Sequence, residues 1–409
     1  MAFKNNFILK LIQGLVSGVN LIFLYKILPP AEFSFFATFG FILTGLGILD
    51  FGLGVKFVNA NISMRDCISL RERTGAAKIF GLTQYIYLSL TITTVLTLFS
   101  IPVSKYLLLY FLANPNWQIL TSISLTTFLF IIGNFVSKIY LSVNRLGRLV
   151  KIQVFSAAIQ LTLSLCVFAL NLGFYCYLYV LCVPSIIMLL DSRYLVSQYD
   201  TRLKINQSAS QKIKMSFFMQ MVQICQSLMT FIFSFLVVEN LTNSEIAFSS
   251  LIQRGVTVLM VALGMNFLQS WISTNPINPI YDNLFLPFDK GKRNLKGGKS
   301  YYIACFVTLF CCLAFFASYF DFSLDRVIAT VMWGFVVITQ IAYWSQYYVF
   351  LGEEKYSILF ISSLVAVLSA LPTTIILKNI GVLFPPTLFI VAQIASYAVL
   401  VLSRKKSPL

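Results

Sequence analysis

The stretch Gly45–Phe57, GLGILDFGLGVKF, decides the fold because it places Asp50 inside an apolar run of membrane-spanning length. No other carboxylate in the sequence lies as deep in such a run. A charged group in hydrocarbon costs about 3 kcal/mol, so it usually faces a partner or a hydrated cavity and marks a transport pathway. We therefore expect a pathway through the membrane near Asp50.

The composition indicates a polytopic membrane protein. Hydrophobic residues make up 58% of the 409 residues and charged residues 11%, and the mean hydropathy is +0.84. These values are far from those of soluble domains. The formal net charge of +16 would suggest nucleic-acid binding in a soluble protein. Here the basic residues fall between apolar runs, where they orient the chain in the membrane, so we expect no nucleic-acid partner.

Twelve apolar runs have the length of a membrane-spanning helix. They cover approximately residues 7–28, 33–57, 79–101, 118–140, 150–170, 173–190, 215–238, 246–270, 301–319, 327–350, 357–377 and 382–402. The sequence therefore predicts an all-α protein with about twelve transmembrane helices in two six-helix bundles around a central cavity. The predicted N-terminal bundle is 1–190, the cytoplasmic linker 191–214 and the C-terminal bundle 215–409.

Basic residues alternate between the loops in the manner of the positive-inside rule. The loops predicted on the inner side contain many of them, among which are Arg65, Arg71, Arg73, Lys78, Arg145, Arg148, Lys151, Arg193, Arg202, Lys204, Lys290, Lys292, Arg293 and Lys355. The predicted outer loops contain only Lys105, Arg326 and Lys378. This pattern predicts an even number of spans with both termini in the cytoplasm.

Motifs for chemistry are absent from the sequence. It has no His and no CxxC pair, and most of its eight Cys lie in apolar runs, so we interpret them as packing residues. The triplet Gly298–Ser300 resembles the end of a phosphate-binding loop, but Arg293 stands where the earlier Gly is needed. We predict no metal, no cofactor and no enzymatic activity.

Polar residues form stripes along several predicted spans. In the first span Lys10, Gln13, Ser17 and Asn20 share one helical face. For a single side chain, hydrogen bonding between helices is the simpler interpretation. Several stripes together favour a hydrated cavity, and the candidate substrate-binding residues are Arg254, Gln253, Gln13, Asn20, Gln223, Thr230, Lys138, Gln160 and Gln340.

The charged residues can be placed by depth. Lys10 and Asp50 are about equally far from the turn that joins their helices, so we expect them to form an ion pair. Arg254 lies ~12 Å below the outer end of its span, and no carboxylate is in that span. It is either an unpaired cation facing an anionic ligand or a snorkelling residue. Lys56 and Lys138 lie near inner helix ends, where snorkelling is the favoured interpretation.

Basic groups within the predicted spans outnumber acidic ones, which favours an anionic substrate. The tenth span adds Tyr343, Trp344 and Tyr347 near Gln340. Aromatic rings stack on sugars, but they also form belts at the membrane interface, and the belt is the favoured interpretation.

Pro184 and Pro372 fall inside predicted spans, where each is expected to kink its helix.

The opening of the chain resembles a known family. The residues KILPPAEF at 26–33 are followed by LDFG at 49–52, and the whole chain has twelve predicted spans. This arrangement is similar to that of the bacterial polysaccharide flippases of the O-antigen transporter type, in the multidrug, oligosaccharidyl-lipid and polysaccharide exporter superfamily. Family members more often have Leu-Gly after the basic residue, where this chain has Leu28 and Pro29.

The resemblance implies a flippase of the bacterial inner membrane. Its substrate would be an undecaprenyl-diphosphate-linked oligosaccharide, moved from the cytoplasmic to the periplasmic leaflet by alternating access. A polysaccharide polymerase and a chain-length regulator are the protein partners that it suggests, and Asp50 would be the ion-coupling group. The alternatives are a cation-coupled multidrug exporter of the same superfamily, a membrane-embedded polymerase or acyltransferase, and a lipid scaffold that transports nothing.

Overall fold

A computed structural model describes residues 2–51, 53–54, 57–58, 61, 82–112, 117–143, 145–197, 217–240, 324–352, 355–380 and 385–405, with isolated positions between 242 and 252. These residues are almost entirely helical, and no strand occurs among them. The helices with defined bounds are α1 (Ala2–Ile27), α2 (Pro30–Ile48), α3 (Leu82–Leu112), α4 (Trp117–Ser142), α5 (Leu146–Ala169), α6 (Phe174–Val180), α7 (Val183–Ser197), α8 (Phe217–Asn240), α9 (Leu324–Gly352), α10 (Tyr356–Ile380) and α11 (Pro385–Lys405).

Seven helical stretches in the described part of the chain are long and apolar enough to cross a membrane. They are Pro30–Ile48, Leu82–Leu112, Trp117–Ser142, Gly147–Ala169, Phe174–Tyr194, Tyr356–Leu377 and Pro386–Ser403. A bilayer core offers no water to backbone groups, and a helix satisfies all of them within one segment. The prediction of an all-α, multi-pass membrane protein is confirmed. The predicted span at 301–319, and most of that at 246–270, lie outside the described residues.

Helix α3 differs from its prediction at its end. The predicted span stops at residue 101, before a predicted outer loop, yet α3 continues through Pro102 to Leu112. The continuation buries Leu107, Leu108 and Phe111. The burial of these apolar side chains offsets the lost hydrogen bond, so Lys105 lies in a helix and not in the predicted loop.

The chain divides into two compact units, Met1–Thr230 and Phe231–Leu409. In the first unit α2 is deeply buried, with twelve buried residues. Its apolar residues are not confined to one face, which is typical of a helix that packs against neighbours on several sides. Pro30 occupies its first turn, where the missing N–H costs nothing. Around it, α1 packs on α5, and α4 packs on both α3 and α7.

The sixth predicted span is interrupted before Pro184, as the sequence predicts. Helix α6 ends at Val180 and α7 begins at Val183. The carbonyl of Val180 would receive the N–H that Pro184 lacks, and the amide of Gln160 donates to it instead, at 3.3 Å. Helix α7 continues to Ser197, beyond the predicted start of the linker at residue 191.

In the second unit α11 packs against both α9 and α10. Ser362 and Ser396 each donate a hydrogen bond to the other's carbonyl, at 3.1 and 2.9 Å, and both are buried. The ring of Phe233, in the second half of α8, lies 4.5 Å from that of Phe389 between centroids. Residues 198–216 lie outside the described part, so the predicted division at 191–214 stays a prediction, as does the cavity between the bundles.

Candidate functional site

The second predicted span is broken at Asp50. Helix α2 ends at Ile48, and helical backbone resumes by Leu53. Between them Phe51 has a φ of 52°, in the left-handed region that bulky residues rarely adopt. The prediction of one continuous helix over 33–57 is therefore wrong at this point. Discontinuous helices in membrane proteins occur where the irregular backbone is enclosed by protein or lines a cavity.

The Asp50 side chain explains how the break is stabilised. Its Oδ2 accepts a hydrogen bond from the backbone N–H of Gly54 at 3.1 Å. The first N–H groups of a helix have no partner within it, and a carboxylate there also interacts favourably with the helix dipole. Asp side chains compete with the helix for such backbone groups. Asp50 therefore caps the helical segment that follows the break.

Asp50 is buried, with 7% of its surface exposed, and a second helix reaches its other oxygen. Oδ1 accepts a hydrogen bond from Nε2 of Gln223 in α8 at 2.5 Å. One helical turn further along α8, Ser227 Oγ donates to the carbonyl of Gly45 at 2.8 Å. The first half of α8 is thus hydrogen-bonded both to the break and to the last turns of α2.

Polar side chains of α4 lie beside the same break. A Cβ added to Gly54 would lie 2.3 Å from Asp50 Oδ2 and 3.2 Å from Cε of Lys138. A Cβ added to Gly47 would lie 2.3 Å from Nδ2 of Asn134. Because the two glycines lack side chains, the stem of Lys138 and the amide of Asn134 approach the broken span closely. These two residues of α4 therefore lie beside the Asp50 break.

Two stacked aromatic rings join the segment after the break to α3. The ring of Tyr85 stacks on Phe57, with 4.0 Å between centroids, and its hydroxyl donates to the carbonyl of Phe135 at 2.8 Å. Both rings are almost fully buried. Tyr85 thereby connects α3 both to the segment after the break and to α4.

Of the residues predicted to form a site, the structure brings together Asp50, Gln223 and Lys138. The side chain of Lys10 lies outside what the structure describes, as do Gln253 and Arg254, so the Lys10–Asp50 ion pair and the Arg254 anion contact stay predictions.

The other described candidate residues lie on α1, α5, α8 and α9. Gln160 bonds the α6 carbonyl, as given above. Thr230 Oγ1 donates to the carbonyl of Gln226 at 3.2 Å, within its own helix. Asn20 is buried, and its Oδ1 has no hydrogen-bond partner in the described part of the chain. Gln13 and Gln340 are half-buried on α1 and α9.

A second polar cluster joins α4, α5 and α7. Arg148 donates two hydrogen bonds to Asp191, from Nε at 2.8 Å and from Nη2 at 2.6 Å. The hydroxyl of Tyr140 donates to the same carboxylate at 2.7 Å. The sequence predicted Arg148 as an orienting loop residue and Asp191 as the start of a linker. The structure instead places both in helices, where the bidentate pair fastens α5 to α7.

The aromatic residues of the tenth predicted span form a buried cluster. The ring centroids of Trp344 and Tyr347 are 4.8 Å apart, and those of Tyr343 and Tyr347 are 5.7 Å apart. Tyr343 and Tyr347 are 7% and 3% exposed. A membrane-interface belt faces lipid, so the belt interpretation is wrong for these two tyrosines. Their rings pack on one another, which is the behaviour of a core.

Sequence reasoning missed one feature of the site, the contact of Asp50 with Gln223, which joins residues far apart in the chain. The glycines on both sides of Asp50 were a usable signal, because repeated Gly in an apolar helix indicates close approach by another element.

Comparisons with known proteins identify the fold. No family model and no curated protein match the chain. Among solved structures, an outward-facing multidrug resistance MATE family transporter of the MOP superfamily is 14% identical, with a TM-score of 0.64 over 99% of this chain and 95% of that one. The lipid II flippase MurJ, in an inward closed conformation, is also 14% identical, with a TM-score of 0.59 over 98% of this chain and 87% of that one.

A third similar structure is a MOP superfamily transporter from Pyrococcus furiosus, described as having a binding pocket of reverse polarity. It is 14% identical, with a TM-score of 0.53 over 98% of this chain and 94% of that one. The similarity extends over nearly the full length of each of these chains. This protein therefore has the fold of the MOP superfamily transporters.

Proposed function

We propose that the protein is a flippase that moves an undecaprenyl-diphosphate-linked oligosaccharide from the cytoplasmic to the periplasmic leaflet by alternating access. The observation that carries the proposal is the full-length likeness to a lipid II flippase. The sequence adds independent support, since basic residues outnumber acidic ones within the predicted spans. A diphosphate headgroup is the anionic substrate that such a balance attracts.

The proposed route has three parts. The glycan and diphosphate enter a polar cavity between two helix bundles, and the lipid tail stays in the bilayer. Arg254 contacts the diphosphate, since an Arg guanidinium matches phosphate geometry. Asp50, with Lys10, supplies the ion-coupling group, because the sequence has no His that could serve in its place. A polysaccharide polymerase and a chain-length regulator receive the product on the periplasmic side of a bacterial inner membrane.

A cation-coupled multidrug exporter is the second candidate. The likeness to MATE family transporters favours it, because several of the similar solved structures are of that kind. An exporter of organic cations is expected to present acidic groups to its substrate. The balance of charge in the predicted spans of this chain is the opposite, and for this reason we place the flippase first.

The two candidates can be separated in proteoliposomes that contain the purified protein. A panel of undecaprenyl-diphosphate-linked oligosaccharides with an NBD fluorophore on the lipid measures flipping, because dithionite bleaches only the outer leaflet. Ethidium efflux from the same vesicles measures drug export. We expect bleaching to reach the inner-leaflet lipid and ethidium to be retained. Ethidium efflux with no translocation of any lipid in the panel would support the exporter and overturn the flippase.

Two variants test the proposed residue roles in the same vesicles. Arg254→Ala is expected to weaken lipid translocation through loss of the anion contact. Asp50→Asn is expected to lower the transport rate because it removes the charge that couples transport to an ion. Normal transport by either variant, at wild-type amounts of protein, contradicts the role given to that residue.

A further inference from the structure

We propose that Gln223 is a positioning residue that holds the Asp50 carboxylate in place, and that it does not contact the transported substrate. The inference rests on the proposed transport function. The sequence placed Gln223 among the cavity-lining residues, but its amide is committed to Asp50 Oδ1 at 2.5 Å. Both side chains are buried, with 5% of Gln223 and 7% of Asp50 exposed.

The two oxygens of the carboxylate have different partners. Oδ1 accepts from Gln223, and Oδ2 accepts from the N–H of Gly54. An ionised carboxylate is an acceptor at both oxygens, so two donors on opposite sides fix the plane of the group. The Gly54 donor belongs to the same broken span. Gln223 therefore holds the Asp50 carboxylate from another helix.

The orientation matters because of what lies next to Oδ2. The Cε of Lys138 and Asp50 Oδ2 both lie within 3.2 Å of the point where a Cβ on Gly54 would sit. Rotation of the carboxylate changes the distance from its charge to this lysine, and electrostatic energies in a buried setting depend strongly on distance. Gln223 thereby acts through Asp50.

A second hydrogen bond, from Ser227, helps to keep Gln223 opposite Asp50. Ser227 lies one turn along α8 and donates to the carbonyl of Gly45 at 2.8 Å, so α8 is held at two successive turns. Because of these two hydrogen bonds, a change in the backbone at the Asp50 break would move the first half of α8 with it. This dependence predicts an effect on the rate of the transport cycle rather than on the affinity for substrate.

Lipid translocation in NBD proteoliposomes tests the assignment. In Gln223→Leu we expect the maximal rate to fall by about tenfold and the half-saturating lipid fraction to stay within about twofold, since the substrate contacts are untouched. Gln226→Leu is the matched control. Gln226 lies three residues along the same helix, and its buried Nε2 has no hydrogen-bond partner in the described part of the chain. We expect both quantities to stay within about twofold in this control.

A raised half-saturating fraction with an unchanged maximal rate in Gln223→Leu would assign Gln223 to the substrate and overturn the proposal. Wild-type behaviour in both quantities would overturn it as well.

The exchange variant Asp50→Asn/Gln223→Glu tests the pair without any substrate. It keeps both side-chain lengths and reverses donor and acceptor, so the hydrogen bond can form again. In a double-mutant cycle on thermal unfolding we expect the exchange variant to be more stable than the two single substitutions predict. Additive effects would overturn the pairing. If the wild-type protein moves no lipid but the cycle shows coupling, the flippase proposal fails and the pair stands.

Discussion

Replacing Phe51 by Gly and by Ala tests whether the second span is broken at Asp50. The φ of 52° at Phe51 lies in the left-handed region, where a Cβ costs an L-residue roughly 1–2 kcal/mol. Glycine has no Cβ and avoids this cost. Both substitutions remove the phenyl ring, so the difference between the two variants reports mainly on the backbone.

A broken and a continuous helix predict opposite signs for this difference. In a helix interior, Gly destabilises a protein by about 1 kcal/mol relative to Ala. In the left-handed conformation we expect the Gly variant of Phe51 to be more stable than the Ala variant by about 1 kcal/mol. The two cases therefore differ by about 2 kcal/mol in the free energy of unfolding. Denaturant titration of the purified protein in detergent can resolve a difference of this size.

Thr44 provides the matched control, because it lies in the regular part of α2 and is exposed. The same pair of substitutions there should make the Ala variant more stable by about 1 kcal/mol. If the Ala variant is the more stable one at both positions, Phe51 lies in ordinary helix and the argument for a broken span is refuted.

Three further predictions concern packing in the first unit and use the same unfolding measurement. Asp191→Ala should lower the free energy of unfolding by about 2 kcal/mol, because it removes a partly exposed carboxylate that accepts three hydrogen bonds. A double-mutant cycle with Arg148→Ala that shows no coupling would contradict this. Gly133→Ala should lower the free energy of unfolding by about 1–3 kcal/mol, because a Cβ there would lie 3.2 Å from the backbone of α7. Unchanged stability would contradict this close packing and mean that α7 moves aside. Gln160→Leu should lower the free energy of unfolding by about 1–2 kcal/mol, because it leaves the carbonyl of Val180 without a donor. The loss should be smaller in a Pro184→Ala background, which restores the N–H of residue 184. An equal loss in both backgrounds would contradict the role given to Gln160.

The fold could be predicted because the bilayer leaves few alternatives. Apolar runs of about twenty residues must be helices when they cross hydrocarbon, so hydropathy alone gives the helices and their approximate bounds. At Pro184 the helix is disturbed as the sequence predicts, because the missing donor leaves the Val180 carbonyl without its helical hydrogen bond, although α10 continues through Pro372. Pro102 shows the limit of this reasoning. There the apolar residues that follow the proline are buried by tertiary packing, and the helix continues.

The candidate site could be predicted in part. Asp50 is identifiable from the sequence because a single carboxylate deep in an apolar run is costly wherever it occurs. Its partner is not, because helical periodicity gives the face of α8 on which Gln223 lies but not the helix that this face meets. The approach of Lys138 depends on Gly54, whose missing side chain leaves space for the lysine stem, and helical periodicity does not give this contact.

The break also explains why fold and function are hard to separate at Asp50. A break within a membrane span frees backbone N–H groups that hydrocarbon cannot satisfy, and Asp50 Oδ2 accepts one of them from Gly54. The residue that carries the buried charge is therefore also the cap that makes the break tolerable. Asp50→Ala removes the charge and the cap together, so loss of transport in that variant says little about coupling. Asp50→Asn keeps one oxygen, which can still accept from the Gly54 N–H, but its amide nitrogen cannot accept from Gln223. It therefore removes the charge and one hydrogen bond while it can keep the cap, which makes it more informative than Asp50→Ala.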